Sequence, residues 1–365
     1  MNASQAIQMR RVWDITLVWL GIGIFVTIYD HFLLMSGISK GAVESYSFFR
    51  SLAFNCFAGL MGGFLGGVAL TEINKRSRSR PYYKSILAAA GIFLLIVSSI
   101  TLVTATFGTY FLSGNPMRNP VAQRYFFDQI MTTEHLKNVV FWGIVVVITQ
   151  FALQISDKFG PRNLGRMIMG KYHSPIKENR IFMFLDLKSS TTIAEKLGEE
   201  KYHEFLKEVF RDITDPILFS KAEIYQYVGD EVVVSWDMEG EENERALCLS
   251  CFFSIRESLQ EKRPSYEQAF NIYPEFKAGL HLGQVIAGEV GIIKREITYS
   301  GDVLNTAARI QSQCNNLNSS LLISDDLKKY LSRNVENWTL ESKGSIYLKG
   351  KEKEVELYDV RQNRS

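Results

Sequence analysis

Two acidic residues of this chain each follow a short apolar run, at a point where a β-strand is expected to end. Asp186 closes the run "IFMFLDL" and precedes "KSSTT", which offers helix-capping side chains before apolar residues recur at helical spacing. Asp230 lies in a Gly-Asp step between "IYQYV" and "EVVVSW", a pattern that predicts a tight β-hairpin. A carboxylate in such a turn often only hydrogen-bonds its own backbone, and spacing alone leaves that alternative open.

If the hairpin lies beside the first strand, the two turns bring Asp186 and Asp230 side by side. The helix predicted after Asp186 would present free N–H groups and a positive dipole end, which attract anions. Two carboxylates next to such an anion site indicate phosphoryl or nucleotidyl transfer assisted by a pair of metal ions. Hard oxygen ligands that leave room for water and phosphate favour Mg²⁺ or Mn²⁺.

A third group of residues follows in "FKAGLHLGQVIAGEVGIIKREITYSGDVLNTAARIQS". The part "KAGLHLGQVIAGEV" predicts two strands around a glycine turn. The part "GDVLNTAARI" predicts a helix with Asn305 and Arg309 on one face, four residues apart. An arginine and an amide so placed could hold a phosphate and a ribose oxygen. Without the other motifs, a surface arginine and an incidental asparagine would be the preferred interpretation.

The composition divides the chain into an apolar half and a soluble half. The chain of 365 residues has 41 Lys and Arg against 39 Asp and Glu, which gives no sign of nucleic-acid binding. Four stretches, at about 15–35, 51–70, 85–112 and 138–155, are long enough to cross a bilayer as helices. We therefore expect a four-helix transmembrane domain at 1–157, a juxtamembrane linker at 158–178 and a soluble domain at 179–365.

The distribution of basic residues predicts the orientation in the cell membrane. Arg10 and Arg11 precede the first span, the loop "TEINKRSRSRPYYK" follows the second, and a basic segment follows the fourth. Because Lys and Arg in short loops stay on the cytoplasmic side, both termini and the soluble domain should be cytoplasmic.

Three features of this half and the linker each allow two interpretations. Gly59, Gly63 and Gly67 in the second span would let helices approach closely, either within one bundle or between two chains. The basic linker could lie against anionic headgroups or pass a movement to the soluble domain. Asp30, His31 and His135 near the outer face could be a solvated boundary or the site of an unidentified ligand.

The cysteine pair "CLSC" at 248–251 has the spacing of metal ligands, but no second pair accompanies it. It falls in the helical pattern "ERALCLSCFFSIRESL", where both cysteines would share one buried face. We therefore expect two buried structural thiols.

The motifs of the soluble half, taken in order, resemble the class III adenylyl/guanylyl cyclase catalytic domain. "FMFLDLKSST" and "YVGDEVV" are similar to its two metal motifs, and "GLHLGQVIAGEVG" to its central glycine-rich strands. "YSGDVLNTAARI" resembles its transition-state helix, and "YLKGKEKEVELYDV" its closing Lys-Gly segment. Five motifs in this order span 179–360, and the resemblance implies an α+β fold with a ferredoxin-like palm.

The resemblance also implies roles for residues at the matching positions. Asp186 and Asp230, with the Leu187 carbonyl, would bind two Mg²⁺ or Mn²⁺ ions per active site. Asn305 would orient the ribose, and Arg309 would stabilise charge on the phosphate being transferred. In this family the metal aspartates come from one domain and the remaining site residues from its partner. Since this chain carries each set once, the resemblance implies a homodimer.

The same resemblance assigns the nucleotide contacts. Lys349 or Lys351 would touch the terminal phosphates, and Gln226 and Thr298 occupy the positions that read the purine. Adenylyl members commonly have Lys and Asp there, many bacterial ones have Thr in place of the Asp, and guanylyl members have Glu and Cys. Gln226 with Thr298 matches none of these pairs fully.

Together these inferences predict a membrane-bound adenylate cyclase of the bacterial, Thr-type group that converts ATP to cyclic AMP and pyrophosphate. A guanylate cyclase is the first alternative. A cyclase-like membrane receptor that binds nucleotide without turnover is the second. A diguanylate cyclase, suggested by "VGDEVV", would leave Asn305, Arg309 and the Lys-Gly segment unexplained.

Overall fold

The structure is a computed structural model that describes residues 3–36, 47–76, 81–113, 133–159, 165–166, 169–238, 244–293, 295–331, 337–349, 351 and 353–363. The chain divides into two compact units, Met1–Pro161 and Arg162–Ser365. Because the second unit begins at Arg162, it includes most of the segment 158–178 that the sequence suggests as a linker. The first strand of this unit begins at Ile176.

The described part of the N-terminal unit is helical. Its helices are α1 (Ala3–Met35), α2 (Phe48–Arg76), α3 (Tyr82–Ser113) and α4 (Thr133–Phe159). Three stretches are long and apolar enough to cross a membrane: Gln8–Met35, Ser51–Arg76 and Val139–Asp157. In α3 the described apolar part, Tyr82–Ser98, is shorter, so the third of the four expected spans, at about 85–112, stays a prediction.

The glycines of α2 pack against α1 of the same chain. A Cβ on Gly59 would lie 2.9 Å from the Trp19 carbonyl oxygen, and one on Gly63 would lie 2.8 Å from the Thr16 Cα. A Cβ on Gly67 would lie 3.3 Å from the Val12 carbonyl oxygen. Of the two interpretations, packing within one bundle is therefore the one that the structure supports, since these glycines allow α1 and α2 to approach at backbone distance.

The C-terminal unit is built around one mixed sheet. Its strands are β1 (Ile176–Leu187), β2 (Glu223–Val228), β3 (Glu231–Asp237), β4 (Phe276–Val290), β5 (Glu296–Ser300), β6 (Leu321–Ser324), β7 (Trp338–Ile346) and β8 (Val355–Gln362). They lie in the order β2-β3-β1-β4-β6-β8-β7, and β5 pairs with β4. The β4–β6 pair is parallel and the other pairs are antiparallel.

Helices cover both faces of the sheet. They are α5 (Ser190–Leu197), α6 (Glu199–Phe219), α7 (Leu247–Glu261), α8 (Arg263–Phe270), α9 (Asp302–Ser312) and α10 (Asp325–Leu331). Successive residues of β1 enter opposite cores: Met183 and Leu185 pack with residues of α6 and α7, whereas Phe182 and Phe184 pack with Val303 of α9. A strand buried on both faces explains the uninterrupted apolar run of β1. The α+β fold predicted for this half is confirmed.

One prediction about this half is wrong. The segment "KAGLHLGQVIAGEV" is one continuous strand, β4, and not two strands around a glycine turn. Its glycines serve close packing: a Cβ on Gly279 would lie 2.2 Å from the Gln311 backbone nitrogen, and one on Gly283 would lie 2.7 Å from Val303 Cγ2. Because these glycines have no side chain, α9 can lie directly on β4.

The cysteines of α7 are as expected. Cys248 and Cys251 are both buried and free, and burial raises the pKa of each thiol to about 12.

Candidate active site

The first carboxylate lies at the end of β1, where this strand is flanked by β3 and β4. In the strand register Asp186 is opposite Glu231 on one side and Lys277 on the other. Helix α5 begins four residues later at Ser190, after Ser189 adopts a left-handed backbone conformation with φ of 58°. Ser189 makes no side-chain capping bond, so the capping expected from "SSTT" is not used. The N–H groups of the first turn of α5, which begins four residues after Asp186, therefore receive no cap from this side chain.

The second carboxylate lies in the predicted hairpin, which the strand register confirms. Val228 pairs with Glu231, leaving Gly229 and Asp230 as the two turn residues. Gly229 has a φ of 62°, a left-handed conformation that glycine adopts without strain. Because β3 pairs with β1 and Glu231 lies opposite Asp186, this turn lies at the same end of the sheet as Asp186.

The two aspartates and Glu231 influence one another electrostatically. Burial raises the pKa of Asp186, Lys277 opposes this effect, and Asp230 adds to it by repulsion and by a hydrogen bond. Burial, together with the negative charges of Asp186 and Asp230, raises the pKa of Glu231 to about 7. Burial is thus the larger cause of both shifts, and repulsion among the three carboxyl groups adds to it, with Lys277 as the cation that contacts Asp186.

This donor set fits a divalent cation. Carboxylate oxygens are the hard ligands that Mg²⁺ and Mn²⁺ take, and surplus negative charge favours cation binding. Among the described residues, no three His, Cys, Asp or Glu side chains converge closely enough to hold a metal ion by themselves. Two aspartates would therefore leave coordination positions to the Leu187 carbonyl, to water and to phosphate oxygens.

Two residues of this site escaped the sequence analysis. Lys277 Nζ lies 3.1 Å from Asp186 Oδ2, and Gln311 Nε2 donates a hydrogen bond to the same oxygen at 2.8 Å. Lys277 arrives because β4 pairs with β1, and Gln311 arrives because α9 crosses β4 at Gly279. Neither residue follows a recognisable motif, and only knowledge of the strand order would have identified them.

Asn305 and Arg309 lie on α9 as predicted, with Asn305 exposed and Arg309 half-buried. Arg309 Nη1 is buried and has no hydrogen-bond partner among the described residues. Within the part of the chain that the structure describes, neither side chain forms a hydrogen bond or ion pair with Asp186 or Asp230. Among the described contacts, α9 meets Asp186 through Gln311 and not through Asn305 or Arg309.

The predicted nucleotide contacts are distributed over two strands and the segment between β7 and β8. Gln226 is exposed on β2, next to a bulge at Tyr225, and Thr298 lies opposite Gly288 in the β5–β4 pair. Lys351 forms an ion pair with Asp302, the first residue of α9, and this contact lowers the pKa of Asp302.

Lys349 is exposed. The structure thus attaches Lys351 to the helix that carries Asn305 and Arg309, and gives no such attachment for Lys349.

Residues 173–362 match the family model described as the adenylate and guanylate cyclase catalytic domain, which is more than half of the chain. The chain belongs to this cyclase family. Adenylate cyclase 2 of Rhizobium meliloti (strain 1021) is 35% identical over 181 residues, which are 50% of this chain and 50% of that protein. Guanylate cyclase beta of Plasmodium falciparum is 32% identical over 98 residues, 27% of this chain and 3% of that protein.

This chain therefore spans about half, or less, of the length of these curated relatives. Among solved structures, a bacterial light-regulated adenylyl cyclase is similar with a TM-score of 0.52 and 21% identity, over 62% of this chain and 65% of that one. This likeness supports the cyclase fold of the C-terminal unit.

Proposed function

We propose that the cyclase domain converts ATP to 3′,5′-cyclic AMP and pyrophosphate. The observation that carries this proposal is the pairing of β1 with β3, which brings Asp186 and Asp230 to the same end of the sheet. In this reaction the ribose 3′-oxygen forms a bond to the α-phosphorus, and the bond from that phosphorus to the pyrophosphate oxygen breaks. No serine, cysteine or histidine nucleophile is required.

Asp186, Asp230 and the Leu187 carbonyl would hold two Mg²⁺ or Mn²⁺ ions. When bound, these ions would lower the pKa of the ribose 3′-hydroxyl and neutralise charge on the triphosphate. Lys277 and Gln311 hold the Asp186 carboxylate in place, so that it presents a fixed oxygen to a ligand.

Arg309 and Asn305 would act on the nucleotide itself. The buried, unpartnered Nη1 of Arg309 is a donor that a phosphate oxygen could satisfy, and a guanidinium suits charge that develops on the transferred phosphate. Asn305, one turn earlier on the exposed face of α9, would hold the ribose. Lys351, which pairs with Asp302 at the start of the same helix, is better placed than Lys349 to act with them.

We infer that two copies of the chain form the active sites. The metal-binding residues lie at the end of β1, whereas Asn305, Arg309, Gln226 and Thr298 have no described contact with them inside one chain. In a homodimer each site would take its aspartates from one copy and its nucleotide-binding residues from the other, giving two sites by symmetry.

We further propose that the helical unit anchors the enzyme in the cell membrane as a multi-pass domain, with both termini and the cyclase domain in the cytoplasm. The three apolar helices support the anchoring. The basic residues at the end of α2, and Arg10 and Arg11 in the N-terminal part of α1, support the orientation. An unidentified ligand of this unit would lie at its opposite end, near Asp30 and His31; His135 lies outside the described side chains.

The purine is assigned to adenine with guanine as the alternative. A Gln side chain can pair with either purine edge by turning its amide over, and a Thr hydroxyl both donates and accepts. Gln226 is exposed, and no described side chain fixes its amide by a hydrogen bond. A guanylate cyclase therefore stays the second candidate, and weak discrimination between ATP and GTP is expected.

Product analysis of the purified chain with ATP or GTP, in the presence of Mn²⁺ or Mg²⁺, tests the proposal. Cyclic AMP as the main product is expected. Cyclic GMP as the main product would establish the guanylate alternative, and a dinucleotide product would point to diguanylate cyclase chemistry. Nucleotide binding without any product would indicate a receptor without turnover.

A further inference from the structure

A buried charge cluster connects the first three strands of the cyclase domain. The Arg180 side chain is fully buried. Its Nε donates to Glu178 Oε2 at 2.8 Å, and its Nη1 donates to Glu223 Oε2 at 3.1 Å and to Ser235 Oγ at 3.0 Å. These partners lie on β1, β2 and β3, so that one guanidinium fixes the relative positions of all three strands.

Two basic residues from the segment before β1 share the same carboxylates. Arg166 Nη1 donates to both oxygens of Glu223, at 3.0 and 3.3 Å, and Arg166 Nη2 lies 3.7 Å from Asp237 Oδ2. Lys171 Nζ lies 2.9 Å from Glu178 Oε1. Because their charges are engaged within the domain, Arg166 and Lys171 favour the coupling interpretation of the linker over binding to anionic headgroups.

Tyr172 anchors this segment in the hydrophobic core. Its side chain is completely buried, in the core that also contains Tyr299 of β5 and Val303 of α9. Its hydroxyl donates to Glu178 Oε1 at 3.2 Å, and its carbonyl accepts a hydrogen bond from the Glu289 backbone at 3.1 Å. A displacement of the segment would therefore change the contacts of β1, β4 and α9 together.

Three aromatic rings carry the connection to both proposed purine residues. The guanidinium carbon of Arg180 lies 4.7 Å from the ring centre of Tyr299, a cation–π distance. The Tyr299 ring contacts Phe182 at 5.4 Å and Tyr225 at 5.0 Å between centres, and the Tyr299 backbone N–H donates to the Tyr225 hydroxyl at 3.4 Å.

Tyr225 immediately precedes Gln226, and Tyr299 immediately follows Thr298. Their strands, β2 and β5, are not neighbours in the sheet: β3, β1 and β4 lie between them in the pairing order. The three rings therefore bridge two strands that no backbone hydrogen bond joins, and they do so next to the two residues assigned to the purine.

We propose that Arg166, Lys171 and Tyr172 of the segment before β1, acting through Arg180 and this aromatic bridge, set the relative position of β2 and β5 and thereby the affinity and selectivity for the purine. The inference rests on the proposed function, because it takes Gln226 and Thr298 as the purine-reading residues. Arg180, Tyr225 and Tyr299 are then positioning residues, and the segment is the point at which movement of the preceding chain would alter nucleotide selection.

The test uses the full chain and the double variant Arg166→Gln/Lys171→Gln, which removes both linker charges and leaves Arg180 in place. We expect KM to rise and the ATP-to-GTP ratio of kcat/KM to change by about threefold or more, the range typical of coupled residues. Hydrogen exchange of residues 223–228 and 296–300 should accelerate. Lys177→Gln is the matched control, since Lys177 is exposed and adjacent in sequence to Glu178.

Tyr225→Phe is a milder second variant that keeps every charge and removes one hydroxyl. It should shift the selectivity ratio in the same direction by a smaller factor, without a change in thermal midpoint. Equal losses of kcat/KM for both nucleotides, or unchanged exchange of both strands, would overturn the inference. A wild type that forms no cyclic nucleotide would refute the proposed function instead, and strand exchange would still decide whether the segment controls β2 and β5.

Discussion

Strand β1 carries two clusters of charge, centred six residues apart on Arg180 and Asp186, that have opposite physical characters. Around Arg180 the charges are paired: the buried Arg180, the partly buried Arg166 and the exposed Lys171 each contact a carboxylate partner. Around Asp186 the carboxyl groups outnumber the cation that contacts them, and the side chains are partly exposed. The two clusters differ in charge balance and in access to solvent.

The acid–base behaviour follows from this difference. Burial alone would lower the pKa of Arg180, but Tyr299, Glu223 and Glu178 outweigh it and the pKa is raised, so the cation is secure. Glu231, with a pKa raised to about 7, is a group whose charge the surrounding protein does not fully support. A balanced cluster holds a structure together, whereas an unbalanced one is a place where a ligand completes the balance.

The largest effect should come from removing charge at the unbalanced cluster. Asp230→Ala should lower cyclase activity by about a thousandfold or more, because several kcal/mol of metal-dependent stabilisation is lost. Its thermal stability should stay the same or rise, since a repelling carboxylate is removed from a turn. Activity and melting curves of the dimer measure both. Substantial cyclic nucleotide production by a folded variant would reduce Asp230 to a turn residue.

A complementation experiment would establish whether the unbalanced cluster is completed by a second chain. Asp186→Ala and Arg309→Ala should each be inactive alone, because each homodimer lacks the same group in both sites. Equal co-expression should restore about a quarter of wild-type activity, since half of the dimers are mixed and each has one intact site. If heterodimers are demonstrated by affinity tags and no activity returns, the sites are not shared.

The balanced cluster should respond in stability and not primarily in chemistry. Arg180→Met removes the cation that Glu178 and Glu223 share and leaves them with the more exposed Lys171 and Arg166. This change should cost about 3 kcal/mol of unfolding free energy, the low end of the range for a broken buried ion pair. Denaturant titration of the variant measures this loss. The triple variant that adds Glu178→Gln and Glu223→Gln also removes the two carboxylate charges, and it should recover part of the lost unfolding free energy. A single variant as stable as the wild type would show that the cluster contributes no net stability.

The pH dependence of stability should distinguish the buried His281 from the carboxyl groups near Asp186, because the pKa of His281 is lowered and that of Glu231 is raised. Burial lowers the pKa of His281 on β4 from its ordinary 6.5 to about 4, and its ring contacts Ser324 at 2.8 Å. The unfolded chain therefore takes up a proton near pH 6.5 that the folded chain resists until about pH 4. The contribution of His281 to the unfolding free energy is therefore complete above pH 6.5, and it should fall by roughly 2–3 kcal/mol as the pH drops through this window. Glu231, whose pKa is raised, acts in the opposite direction, so the comparison with a His281 variant isolates this contribution.

His281→Asn, which keeps a polar group for Ser324, should lose this dependence between pH 6.5 and 4. Unfolding free energies at several pH values check it for both proteins. An unchanged slope in the variant would assign the acid sensitivity to groups other than His281. Asp186 and Glu231 are not among these groups, because their raised pKa values stabilise the folded chain as the pH falls.

The smallest effect should come from the exposed Gln226. Gln226→Glu places a pure acceptor where guanine offers its N1–H, and should shift the kcat/KM ratio toward GTP by about five- to tenfold. The wild type should prefer ATP. Gln226→Asn, which keeps the amide on a shorter side chain, is the matched control. A wild type that prefers GTP, or an unchanged ratio in the Glu variant, would contradict the assignment of Gln226.

Much of the site could be read from local patterns alone. The apolar run before Asp186, the Gly-Asp hairpin and the helix with Asn305 and Arg309 depend on neighbouring residues, and the structure contains each of these elements. The apolar lengths of α1, α2 and α4 likewise follow from composition. Local conformational preference and periodic burial are sufficient to predict such features.

The sequence by itself therefore determined which residues could do the chemistry and the order in which they occur. Only the tertiary structure decided which charges are balanced. Lys277 reaches Asp186 through the pairing of β4 with β1, and Glu223 and Ser235 reach Arg180 from 43 and 55 residues away. The glycines of β4 read as a turn because no local signal distinguishes a turn from a close helix contact. Charge balance and close packing depend on partners distant in sequence, and those partners meet only when the strands are paired.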